Sequence, residues 1–113
     1  MSIAAPNNGG ATPAFIAAFK GHVEVVRLLA ELGANVETPD NGSFTPAYVA
    51  AQNGHVEVLR LLFELGANVE TPKNGGCTPA YIAAQKGHVE VVRLLASQRR
   101  EARRVAAAQW PSL

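Results

Sequence analysis

Apolar residues recur along this chain at helical spacing, and the spacing resets at regular intervals. Val56, Val58, Leu59, Leu61, Leu62 and Leu65 fall at the three- and four-residue steps of one helix face. Ala47, Val49, Ala50 and Ala51 precede them and predict a shorter helix, whose small side chains let another helix approach closely. Thr45 suits the N-cap of that helix and Pro46 its first turn. Asn53-Gly54 ends the first helix and Gly66 the second, because glycine takes the left-handed cap conformation at little cost. Val69-Glu70-Thr71-Pro72 then reads as extended, and Lys73-Asn74-Gly75-Gly76 carries the Asn-Gly signature of a tight turn. The predicted order is helix, turn, helix and a hairpin-like finger.

The order repeats with a period of 33 residues: Thr12, Thr45 and Thr78 are in register, and so are Gly21, Gly54 and Gly87. The second copy reads TPAYVAAQNGHVEVLRLL from Thr45 and the third TPAYIAAQKGHVEVVRLL from Thr78, while the linker ELGANVETP occurs at 31–39 and 64–72. A period of this length predicts stacked units, each supplying the wall that its neighbour lacks. The near identity of the units fits a recent duplication, a piece of a longer array or an engineered consensus-like sequence.

Composition narrows the picture. At 113 residues the chain makes one small domain, and 48% apolar content is normal for a folded protein. It has no run of about 18 apolar residues that could span a bilayer, and Met1 to Pro6 lacks the basic and apolar parts of a secretory signal. The lone Cys77 excludes an internal disulfide and points to a reducing compartment, with a cytoplasmic or nuclear location as the expectation. Residues 1–96 hold six basic against eight acidic side chains, so this part has no broad attraction for nucleic acid. Residues 97–113 hold four arginines against Glu101.

The three registered copies resemble the ankyrin repeat over about residues 5 to 96. The family's unit is also 33 residues, with Thr-Pro-Leu-His at its start, Gly-His before the second helix and Gly-Ala-Asp-Val-Asn after it. The resemblance implies an all-α repeat solenoid with hairpin-like fingers, in units of about 7–39, 40–72 and 73–96; the nonrepeating residues after it predict a C-terminal helical extension over 97–113. Two features depart from the family. Leu-His is replaced by Ala14-Phe15, Ala47-Tyr48 and Ala80-Tyr81, so the His that usually bonds the Thr hydroxyl is missing. Glu37 and Glu70 stand where some members carry a hydroxylated asparagine, and that modification is not carried over.

Reactive chemistry is sparse. His22, His55 and His88 hold the same place in each unit, so they should lie roughly 10 Å apart, too far to share one metal ion. In the family this His bonds neighbouring backbone. No HExxH, Walker or GxSxG motif occurs, Cys77 has no local base, and Asn41-Gly42-Ser43 reads as a turn before it reads as a glycosylation acceptor. The expectation is a protein with no enzymatic activity, no cofactor and no metal.

The resemblance places protein binding on a concave face of fingers and first helices. Carried over position by position, the contact residues are Asn8, Gly9, Ala11, Phe19 and Lys20 in the first unit. The second unit gives Asn41, Gly42, Phe44, Gln52 and Asn53, and the third gives Asn74, Gly75, Cys77, Gln85 and Lys86. Phe44 is either an interface anchor or a ring packed on its neighbour finger or Tyr48. Phe15 and Phe19 make the N-terminal end apolar, which suggests that the uncapped first unit self-associates, as a self-assembling scaffold, or is covered by another chain. The gap-free run from Ala96 to Gln109 predicts that the last helix continues to about Trp110-Pro111. That extension has three readings: a cap on the stack, a docking helix for a partner or a second copy, and a nucleic-acid or nuclear-import segment.

Overall fold

A computed structural model describes residues 2–98. Among the described residues six helices follow one another: α1 (Pro13–Lys20), α2 (Val23–Glu31), α3 (Pro46–Gln52), α4 (Val56–Glu64), α5 (Pro79–Lys86) and α6 over residues 89–98. Among the described residues there is no strand. The expected continuation of α6 towards Gln109 lies outside the described residues.

The first helix of each pair starts as its sequence requires. The hydroxyls of Thr12, Thr45 and Thr78 accept the amides of Phe15, Tyr48 and Tyr81 at 3.1, 3.0 and 3.1 Å, with proline in each first turn. Each cap contributes about 1 kcal/mol. The Thr hydroxyl, which lacks its usual His partner, is thus engaged by its own helix. Gly21, Gly54 and Gly87 then turn the chain at φ 78°, 74° and 78° into the second helix. Glu24 and Glu57 sit in the first turns of α2 and α4, where the helix dipole favours negative charge.

The pairs stack in two layers. α3 packs between α1 and α5, and α2 packs on α4. Ala14, Ala17, Ala18, Ala47, Ala50 and Ala51 are all buried, which brings the first helices close together. Between the layers Leu59 and Leu62 are fully buried, and Val58 is fully buried at the junction with the repeat before it, each contributing about 1.5–3 kcal/mol. The helical spacing correctly picks out Leu61 as buried too, but Leu65 is 42% exposed. Phe15 departs further from expectation: at 6% exposure it lies inside the stack and gives the N-terminal end no apolar surface. Phe19 is exposed as expected, at 43%, and further apolar surface there comes from Ile16, Val25 and Leu28.

Candidate functional site

The fingers are tight hairpins closed by their own backbone. The amides of Asn7, Asp40 and Lys73 donate to the carbonyls of Ala11, Phe44 and Cys77 at 2.9 Å. In the first two fingers a side chain reinforces the loop. Asn7 Oδ1 accepts the amides of Gly9 and Ala11, and Asp40 Oδ1 those of Gly42 and Phe44, at 2.9–3.0 Å. Lys73 has no acceptor to offer at that position. Its ammonium lies 5.5 Å from the Phe44 ring centroid instead, a contact worth about 0.5–1 kcal/mol.

Successive fingers are tied together. The amide of Asn41 donates to the Gly9 carbonyl at 2.9 Å and its side-chain Nδ2 to the Asn8 carbonyl at 3.3 Å. The Asn74 amide donates to Ser43 Oγ at 2.6 Å. Further along the stack, the Asn68 amide donates to Glu37 Oε1 at 2.8 Å. Glu37, in the place of the family's asparagine, therefore joins two units.

The ends of the first helices are tied in the same way. The Phe19 carbonyl accepts Asn53 Nδ2 at 3.0 Å and His55 Nε2 at 3.0 Å, and the Gln52 carbonyl accepts His88 Nε2 at 2.9 Å. A carbonyl oxygen can only accept, so Nε2 carries the proton in both rings. The imidazoles pack so tightly on the preceding turn that a Cβ at Gly21 or Gly54 would sit 2.7 or 2.8 Å from Nδ1 of His55 or His88. Glycine is required there twice over, for its positive φ and for this close approach.

A family model described as ankyrin repeats (3 copies) matches residues 2–73 and again 37–106. The chain belongs to the ankyrin-repeat family. Among curated proteins none matches the chain. Ankyrin repeats generally serve as protein-interaction modules, and the histidines at 55 and 88 act here as the inter-repeat ties that the resemblance implies.

Against this ankyrin framework the expected contact residues divide in two. Asn41 and Asn53 spend side-chain donors on the neighbouring repeat, and Asn8 lends its carbonyl to one of them. Phe44 is half-buried, with its ring centroid 5.3 Å from that of Tyr48 at 57°, so the packed reading describes its position. Ala11, Gln52 and Cys77 are also half-buried. Phe19, Lys20, Asn74, Gln85 and Lys86 are exposed, Phe19 at 43%. Burial, and to a lesser extent the neighbouring Cys77, pushes the Tyr48 phenol up to about 12. The sequence reading missed Ser43 and Lys73. Ser43 could have been found from its register with Gly10 and Gly76, since a serine in a glycine position marks a substitution that something else must offset.

Proposed function

We propose that this protein is a non-catalytic interaction module that binds a protein partner through a concave face of its fingers and first helices. One observation carries the reading: at the helix ends the backbone carbonyls of Phe19 and Gln52 accept the inter-repeat bonds, while the side chains at that register and at two others nearby differ from repeat to repeat. Phe19, Gln52 and Gln85 occupy one register, Lys20, Asn53 and Lys86 the next, and Ala11, Phe44 and Cys77 the position that closes each finger. A constant framework with changing side chains is what recognition of an irregular surface requires. The hydrogen-bonded fingers are ordered before binding, so little conformational entropy is lost on association. The acidic balance of residues 1–96 supports a protein partner over nucleic acid. Among the described residues no helix is long and apolar enough to cross a membrane.

The test is affinity capture by the tagged chain beside a variant carrying Lys20→Glu and Lys86→Glu. Both lysines are exposed, so helix content should not change. A partner retained by the wild type and lost by the variant supports the surface. Equal retention would remove these helix ends from it.

A further inference from the structure

Each repeat has a leading face, turned towards the repeat before it, and a trailing face, turned towards the one after. Inside the stack both are covered. Val49 and Ile82 are 3% and 6% exposed, Val58 and Val91 are 0%, and Leu61 is 2%. Their equivalents in the first repeat, where no helix pair among the described residues is packed in front, are open: Ile16 at 39%, Val25 at 47% and Leu28 at 54%. These three and Pro13 mark an apolar face, and a groove of about 440 Å³ runs over Pro13, Ile16, His22 and Val25.

Among the described residues nothing covers the trailing face of the third repeat. Tyr48 is 2% exposed but its equivalent Tyr81 is 60%, and Ala18 and Ala51 are 0% while Ala84 is exposed. A groove of about 430 Å³ is lined there by Ala84, Gly87, Val89, Val92 and Ala96. The polar tie is also half-made at each end. His22, the equivalent of His55 and His88, is exposed, and a Cβ at Gly87 would meet none of the described residues within 4 Å, where Gly21 and Gly54 meet an imidazole.

We propose that a second copy of this chain docks head to tail, its leading face on the trailing face of the first. The internal interfaces are the argument. The sequence GHVEVVRLL is identical in the first and third repeats, and the trailing-face residues Tyr48 and Tyr81, Ala51 and Ala84, and Gly54 and Gly87 are identical in the second and third. The two open faces therefore present the chemistry that already fits inside the stack. In the docked pair, His22 of the second copy donates from Nε2 to the Gln85 carbonyl of the first and packs over Gly87. Such an interface is heterologous, so it leaves one open face at each end and continues to add copies. This goes beyond the concave-face reading and does not depend on it.

Sedimentation equilibrium tests it on the full chain, from about 1 μM to about 1 mM, the range of weak reversible association. Ala84→Arg blocks the trailing face and Val25→Arg the leading face, and both sites are exposed in the single chain. The wild type should exceed 11.9 kDa with rising concentration and reach no plateau. Each variant alone should stay at 11.9 kDa, and an equimolar mixture of the two should form a dimer and stop there. Circular dichroism confirms that each variant folds. A wild type that stays monomeric to 1 mM, or variants that still associate alone, overturns the proposal.

Discussion

Nε2 of His55 lies 3.0 Å from the main-chain carbonyl oxygen of Phe19, across the junction between two repeats. His88 repeats the bond to Gln52, and His22 is exposed with no carbonyl of an earlier helix pair before it among the described residues. His55→Ala should therefore cost about 1–2 kcal/mol, since it deletes a bond and strips the Phe19 carbonyl of one donor. His22→Ala should change stability by less than about 0.5 kcal/mol. Urea titration of both variants checks the contrast, and equal losses would contradict the assignment of this histidine as an inter-repeat tie.

Leucines at equivalent positions provide a second contrast. Leu61 is 2% exposed and Leu28 is 54% exposed, although they hold the same place in successive repeats. Leu61→Ala should cost about 2–5 kcal/mol through lost burial and a residual cavity. Leu28→Ala should cost less than about 1 kcal/mol, measured at a protein concentration low enough to keep the chain monomeric.

The finger turn at Ser43 combines two opposing effects. Ser43 sits at φ 67°, a conformation that glycine adopts at Gly10 and Gly76, and its hydroxyl accepts the Asn74 amide at 2.6 Å. Ser43→Ala keeps the backbone strain and loses the bond, so it should cost about 1 kcal/mol. Ser43→Gly loses the same bond but relieves the strain, and should be more stable than the alanine variant by about 0.5–1 kcal/mol. Thermal unfolding of the two variants side by side reads the order directly.

Tyr48 links stability to pH. Its phenol is pushed up to about 12 from 10.0, chiefly by burial, so the folded chain holds this proton more tightly than the unfolded chain does. The stabilisation is complete below pH 10 and is lost as pH rises towards 12. Tyr48→Phe should lose less stability than the wild type over that window. Parallel pH dependences of the two would contradict the burial of the phenol.

The features set by a few adjacent residues were readable from the chain alone. Thr45-Pro46 announces a helix start because the cap is local chemistry, and Gly54 announces the turn because only glycine takes its φ cheaply. The stack itself was readable because the period places identical faces one repeat apart. Features decided by a neighbouring repeat were harder to see. Phe15 reads as an apolar end residue, but the packing of α3 on α1 buries it, and Ile16, one position on, takes the open face. Asn41 and Asn53 read as free contact residues, yet each spends its side chain on the repeat before it. Spacing within one repeat carries no information about a hydrogen bond made across 33 or 34 residues.

The central claim, a partner held against the fingers and first helices, is tested most directly by site-specific photocrosslinking. A photoreactive side chain is placed at Gln85, on the exposed end of α5, and separately at Glu57, exposed on α4 in the second-helix layer. The account predicts that the partner captured by the tagged chain is trapped from position 85 and not from position 57. Trapping from 57 alone would place the interaction on the second helices and contradict it.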